Sequence, residues 1–455
     1  MLGAGQYKSF KHTQLLMWSS IHLRNFKMVW PTFLQFTFLL FLPTVTDAHF
    51  PRPCITPEAL AEGRCCPDWN GSPCGAEYGR GECKQFFDTR LTGLTAQFTF
   101  FCSCKDNFDS YDCSRCKFGY KGDNCTERQH YVRREILTLS PEERTRYIDN
   151  LHKAKVSRSE RYVILIVDRD KPQNNELLKF ENASVYDLFV WVHYYAGKAP
   201  AGGGQRNAAH QGPAFPFWHR NYLLFMEREV REITGDENFF IPYWDWTKTD
   251  YCNICNNDFF GASDASGRIR NSEFSKWKTI CTYDASHTDY SQICVQPPQN
   301  VPPSPIIRNP GKDPESGGLP LPQQVQAVLD TNDYDTYPYN KCSCNSFRNR
   351  LEGFDLKMES RTFSAAMHNL VHDYFNGTMS DVPIAANDPL FMLHHAMIDK
   401  IFEEWLLKHP DMKYPIDDVI PPIQQHDAFM RPFIPPVLND YLVGVTAEEL
   451  GYRYE

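Results

Sequence analysis

Nowhere does this 455-residue chain stay apolar for long enough to cross a bilayer. Its longest such run, Phe33–Leu42, has ten residues, whereas a spanning helix needs about twenty. Positive charge is also in deficit: 47 Lys and Arg against 56 Asp and Glu leave a net charge of -9. The basic stripe that a phosphate backbone requires is therefore missing, which excludes nucleic acid as the expected partner. Glycine is sparse, at 25 residues, far below the one in three of a collagen-like chain. No long internal repeat marks a solenoid. With 42% hydrophobic and 23% charged residues the chain is not compositionally disordered, and its length allows two or three domains.

What is abundant is cysteine. There are 16, and ten of them lie between Cys54 and Cys125, a density that belongs to an oxidising compartment unless the thiols hold metal. Phe33–Leu42 has the length of a signal-peptide core, preceded by Lys8, Lys11, Arg24 and Lys27. Thr46-Asp47-Ala48 supplies small residues for cleavage before His49. Residues 1–48 are thus read as a leader, with Met28 as an alternative start. Four N-x-S/T triplets, at Asn70, Asn124, Asn182 and Asn376, are glycosylation candidates that fit luminal exposure. Residues 49–128 are expected to form a small cysteine-rich domain. Its Cys102-x-Cys104-x8-Cys113-x2-Cys116-x8-Cys125 spacing looks EGF-like, with disulfides standing in for a core. The rival is a zinc site on the Cys113/Cys116 pair. Residues 129–455 form the second domain.

That second part is helical in pattern. Ser140-Pro141-Glu142-Glu143 predicts a helix start with a capping box. Apolar residues at helical spacing mark Ser184–Ala196 and Phe217–Ile233, the latter ended by Gly235. Two more helices are expected over Arg361–Phe375 and Pro389–Lys408. Val295–Pro322, with nine prolines, is a long irregular connection, and Tyr162–Val167 is the best strand. The fold class is therefore mainly α, a four-helix bundle with long loops behind the cysteine-rich module.

Seven of the 15 histidines sit on or just before these four helices. His193 borders the apolar stripe of the first and His219 lies on that of the second, with His210 on the approach. His368 and His372, four apart, share one face of the third, and His394 and His395 open the fourth. Any one of them can be a core histidine bonded to a carbonyl. Together, four inward imidazole-bearing helices make a bundle-core metal site, because so many buried imidazoles otherwise lack partners. With no thiolate or carboxylate at matching spacing, the donors suit copper, zinc, iron or nickel. They divide into His193, His210 and His219 on one half, and His368, His372 and His394 or His395 on the other. Three nitrogens per ion leave a place between two ions for dioxygen.

His193-x16-His210-x8-His219 with FWHR (Phe217–Arg220), and His368-x3-His372-x22-His395 with NDPLFMLHH (Asn387–His395), resemble the two halves of a type-3 binuclear copper centre. HFPR at His49, CCPDW at Cys65, GRGEC at Gly79, TERQ at Thr126, FVWVHYY at Phe189, GDENFFIPYWDW at Gly235, FRNRLEGF at Phe347 and NGTMS at Asn376 extend the match over His49–Glu455. The whole resembles the melanin-forming tyrosinase family of animals. The resemblance implies two copper ions, dioxygen as co-substrate, and oxidation of phenols such as L-tyrosine and L-DOPA to ortho-quinones. It selects His395 as ligand and leaves His394 beside the site. Glu352 and Asn369 resemble a pair holding a water that takes the phenol proton; Glu352 can instead be a buried partner of Arg348 or Arg350. Phe354, Ser380 and Val382 resemble residues at the pocket mouth. Cys252/Cys255 and Cys281/Cys294 resemble family disulfides. A melanosome lumen and association with related family proteins are implied as well.

The chain departs from the family pattern in several places. The family's membrane anchor and sorting tail do not occur up to Glu455, so the expectation is either a sequence cut short of them or a secreted form. Asp373 replaces an apolar residue after His372, and Cys342-Ser343-Cys344 adds two cysteines, pairing with each other or elsewhere. Ala208 excludes the Cys–His thioether of fungal and molluscan relatives. The alternatives are a zinc-bound dopachrome tautomerase of the same family, a dioxygen carrier of the hemocyanin kind, and an adhesion module built on the EGF-like region. His394-His395, Ala396 and Met379-Ser380 favour the oxidase.

Overall fold

The computed structural model describes residues 49–86, 98–166, 179–197, 207–282, 294, 304–312, 317–357 and 362–455. The leader, Val167, Arg361 and much of the proline-rich connection lie outside the described residues. Eight helices occur among the described residues: α1 (Pro57–Glu62), α2 (Pro141–Val156), α3 (Val185–Gly197), α4 (Phe215–Thr234), α5 (Pro322–Leu329), α6 (Phe347–Glu352), α7 (Met367–Phe375) and α8 (Leu390–Lys408). The mainly helical class is what the periodicity predicts.

Local chemistry explains most boundaries. At α2, Ser140 Oγ accepts from Glu143 N at 3.2 Å, and Glu143 Oε2 accepts from Ser140 N at 2.8 Å. Both satisfy donors that a helix start leaves orphaned. At the end of α4, Gly235 takes φ 71° and donates its N–H to Arg231 O, a left-handed cap that glycine adopts without strain. One boundary differs from expectation. Thr362–Ala365 is not helical but pairs antiparallel with Phe354–Lys357, Phe354 opposite Ala365, so α7 starts only at Met367. Pairing with a neighbouring strand overrides the local helical pattern.

Strands are short. Phe50–Pro51 pairs with the middle strand Tyr162–Ile166, which also pairs with Lys179–Glu181. Tyr131–Arg133 runs parallel to Tyr452–Tyr454. Ten cysteines of the amino-terminal region form five bridges: Cys54–Cys65, Cys66–Cys83, Cys74–Cys102, Cys104–Cys113 and Cys116–Cys125. The zinc alternative at Cys113 and Cys116 is thereby overturned, since both sulfurs are spent on separate disulfides. Cys252–Cys255 and Cys281–Cys294 are also bridged, whereas Cys342 and Cys344 are exposed and free.

One apolar core runs through the described residues, joining Phe50, Phe98, Phe101 and Tyr111 to Tyr162, Phe189 and Phe225. Ion pairs stitch the same seam: Arg228 to Asp109 at 2.6 Å, Arg161 to Asp112 at 3.2 Å, and Arg115 to Glu229 and Glu232. Beneath α4 and α8 lies a buried charge cluster. Arg133 pairs with Glu227 and Asp399, both at 2.9 Å, while Arg220 pairs with Asp399 at 2.6 Å and Glu403 at 2.9 Å. Tyr452 and Tyr454 each donate to Asp399 at 2.6 Å. No helix among the described residues is long and apolar enough to cross a membrane.

Candidate metal centre

Helices α3, α4, α7 and α8, with His210 on the loop before α4, bring the predicted imidazoles together from as far apart in sequence as His193 and His395. His193, His210 and His219 form one buried cluster; His368, His372, His394 and His395 form a second. The two face each other, with the rings of His219 and His395 stacked at 4.3 Å.

The outer nitrogens explain how the rings are aimed. His219 Nδ1 lies 2.8 Å from Phe215 O, one turn back along α4. His372 Nδ1 lies 2.7 Å from Met379 O. His368 Nδ1 faces Asn369 Oδ1 at 3.0 Å and Glu352 O at 3.3 Å. His210 Nδ1 faces Asn207 Oδ1 at 3.1 Å. A ring nitrogen facing an oxygen carries the proton, so in all four rings Nε2 is left as the free lone pair.

These lone pairs converge. His395 Nε2 lies 3.3 Å from His368 Nε2 and 3.4 Å from His372 Nε2. One proton on His395 cannot serve both neighbours well, but one cation can. Two nitrogens bound at about 2.0–2.1 Å with a tetrahedral angle sit about 3.3–3.4 Å apart, so the spacing fits an ion. His219 Nε2 and His395 Nδ1 are buried without any hydrogen-bond partner. Neither nitrogen of His394 makes a bond of good geometry, the His368 carbonyl offering only a weak pull. His394 stacks on His368 at 5.2 Å and offers a ring nitrogen within 4.8 Å of the other three in this cluster. Burial holds all seven imidazoles below their ordinary pKa, His219 at about 3 and His372 at about 4. Neutral imidazole is the form that ligates metal.

Aromatic rings close the space around the nitrogens. Phe391 lies 4.0 Å from His395 and 4.7 Å from His193 between ring centres, and Phe215 lies 4.9 Å from His368.

The second tier of predicted residues is placed unevenly. Glu352 is buried at the end of α6, where Oε1 accepts from Gln211 N at 2.6 Å and Oε2 pairs with Arg348 at 3.2 Å. Burial raises its pKa to about 7 against the opposing pull of Arg348. The ion pair weighed from sequence is therefore present, with Arg348 rather than Arg350. Asn369 spends its side chain on His368. Phe354 begins the hairpin and is half-buried, and Val382 is exposed beside Gly197 and His210. Ser380 is exposed and uses its hydroxyl to close its own turn, donating to Gly377 O at 3.0 Å. Of the sequons, Asn70, Asn124 and Asn182 are exposed and Asn376 is half-buried.

Three positioning residues were not found from sequence. Asn207 Oδ1 accepts from His210 N at 2.9 Å as well as from its ring. Buried Gln424 donates to Asn207 O at 2.6 Å and His210 O at 2.7 Å. Asn207 Oδ1 also accepts from Ala209 N, two residues on, at 3.2 Å, an Asx turn that could have flagged it; Gln424 has no local signal at all. Gly353 is a third. It takes φ 98°, and a Cβ there would run into the Ala366 carbonyl just before α7.

Residues 183–408 match the family model for the common central domain of tyrosinase. The chain is 36% identical over 446 residues to a tyrosinase of Canis lupus familiaris, covering 91% of this chain and 83% of that relative. It is 37% identical over 467 residues to a 5,6-dihydroxyindole-2-carboxylic acid oxidase of Ambystoma mexicanum, covering 93% and 86%. Among solved structures, a polyphenol oxidase from Thermothelomyces thermophila matches with a TM-score of 0.50 at 18% identity, over 72% of this chain and 89% of that one, a likeness of fold.

Proposed function

This chain belongs to the tyrosinase family of animals, and from that premise we propose that it is a copper-dependent phenol oxidase. It converts monophenols such as L-tyrosine to catechols, and catechols such as L-DOPA to ortho-quinones that initiate melanin. The observation that carries the reading is the convergence of His368, His372 and His395 Nε2 opposite the buried His193, His210 and His219 cluster. These six would hold two copper ions, with His394 beside them. The bound pair supplies dioxygen activation and electron transfer, for which protein side chains have no equivalent.

The chain's own residues do the rest. The Nδ1 acceptors of His210, His219, His368 and His372 lock those four rings so that each Nε2 lone pair is presented without reorganisation. Phe391 and Phe215 exclude water from between the clusters. Glu352, with a pKa near 7, is a proton acceptor tuned to neutral pH, and a phenol proton with pKa near 10 moves to it more readily once the phenol is polarised. Asn369 holds His368. Phe354 and Val382 at the rim offer an aromatic ring and an apolar edge for a phenol to lie against. Residues 49–128 act as a cysteine-rich domain on the catalytic domain 129–455. Seven disulfides and three exposed sequons support a secretory-pathway location, with the melanosome lumen as destination.

The test is metal content of the purified chain after exposure to copper and zinc, followed by oxidation of L-tyrosine and L-DOPA on the same sample. Two coppers per chain with quinone formation are expected, and His372→Ala should lose one copper and all quinone formation. Retention of zinc with no phenol oxidation would reassign the chain to a redox-inactive tautomerase, since imidazole accepts either metal.

A further inference from the structure

Fourteen of the sixteen cysteines are paired, and the two that are not stand together: Cys342 and Cys344, both exposed. Their loop is firmly built. Ser343 between them is buried. Its hydroxyl donates to Thr336 O at 2.7 Å and accepts from Asn340 N at 3.0 Å. Cys342 N donates to Asn340 Oδ1 at 2.8 Å, and Thr336 Oγ1 donates to Cys344 O at 2.6 Å. Ser343 is fixed inward between two exposed cysteines, and the Cys344 thiol turns back toward its neighbour, donating to Cys342 O at 3.7 Å. The loop is also tied to the rim of the metal centre. Asn349 Nδ2 donates to Ser343 O at 2.8 Å and reaches Phe354 O at 3.4 Å. Arg348, the partner of Glu352, donates to Asn340 O at 3.0 Å.

We propose that Cys342 and Cys344 form a surface seat for one Cu(I) ion, on the loop that Arg348 and Asn349 tie to Glu352 and Phe354. Two exposed thiols contribute nothing to the core and close no loop, but a pair of thiolates is the donor set that selects Cu(I) over harder ions. Binding exchanges two S–H bonds for two S–Cu bonds and releases two protons to water. Copper stays monovalent and nothing is oxidised. Occupancy also protects an exposed dithiol that an oxidising compartment would otherwise consume. Delivery of that ion onward to the histidines rests on the oxidase reading above; the thiol seat itself does not.

The full chain, stripped of metal, is titrated with Cu(I) presented as its bicinchoninate complex, while free thiols are counted with a chromogenic disulfide reagent. The native chain should bind one ion more than Cys342→Ser/Cys344→Ser, and both of its reactive thiols should disappear as that ion binds. The variant should fold and load its histidines normally, because both replaced side chains are on the surface and touch none of them. Equal uptake by the two chains, thiols that stay reactive at saturation, or a metal-free chain with no reactive thiols would each overturn the proposal. If the extra ion is present but neither chain loads its histidines, the thiol seat stands and the oxidase reading falls.

Discussion

At the scale of single residues, the metal centre is built from groups that the fold keeps uncharged. His219 and His372 have pKa values of about 3 and about 4 because burial penalises the imidazolium. In the unfolded chain both return to about 6.5. Below that pH the unfolded state binds protons that the folded state refuses, so stability falls with falling pH, down to the folded values. Each such group steepens the fall by up to about 1.4 kcal/mol per pH unit. Glu352 acts in the opposite sense: its raised pKa makes its contribution complete below about 4.5 and lost as pH rises through 7. The depressed imidazoles outnumber it. Metal-free chain should therefore unfold at progressively lower denaturant between pH 6.5 and pH 4. Urea midpoints measured across that range check this; a flat profile would mean the imidazoles are not buried neutral.

At the scale of elements, the two halves of the centre are supported differently. His368, His372 and His395 stand on helices whose ends are fixed by backbone chemistry. Asp388 accepts from Leu390 N at 2.9 Å at the start of α8, and Arg308 grips the same carboxylate from the proline-rich connection at 2.5 and 2.7 Å. His210, by contrast, stands on a loop. Its place is set by Asn207 and by Gln424 reaching across from 214 residues away. Gln424→Ala should leave the His368, His372 and His395 half intact and weaken copper binding at the other half by about 10- to 100-fold, the cost of losing a supporting hydrogen bond behind a ligand. Copper affinity by chelator competition, resolved for the two ions, tests it; equal weakening of both would show that the loop is not an independent element.

For the whole molecule, the carboxy-terminal residues close the structure onto the helix that carries His395. Asp399 receives buried Arg133, Arg220 and Tyr452 and half-buried Tyr454, and although burial pushes its carboxyl up, the Arg220 and Arg133 guanidiniums hold it below the ordinary range. Removing one member of such a cluster leaves the others' charge uncompensated, at about 3–5 kcal/mol. Asp399→Ala should lower the unfolding free energy by that amount, read from denaturant titration, although the residue touches no metal ligand.

The sequence by itself marked the four histidine-bearing helices and the histidines that cluster between them, because apolar period, capping residues and histidine spacing are local features. Ser140 with Glu143, Gly235, and the His368/His372 pair could all be read without a fold. It also settled the family, through motifs spread over the whole matched chain. What only the tertiary structure decided was everything that depends on a partner distant in sequence. Helical phase left His394 and His395 equivalent; the fold brings His395 Nε2 to 3.3 and 3.4 Å from His368 and His372 Nε2 and keeps His394 in the same cluster. The start of α7 moved because Thr362–Ala365 found a strand to pair with. Glu352 took Arg348, one turn back on its own helix and already weighed from sequence, but its rise to about 7 comes from burial, which only the fold supplies. Gln424 was invisible until the chain folded, because a hydrogen bond across 214 residues leaves no periodic trace.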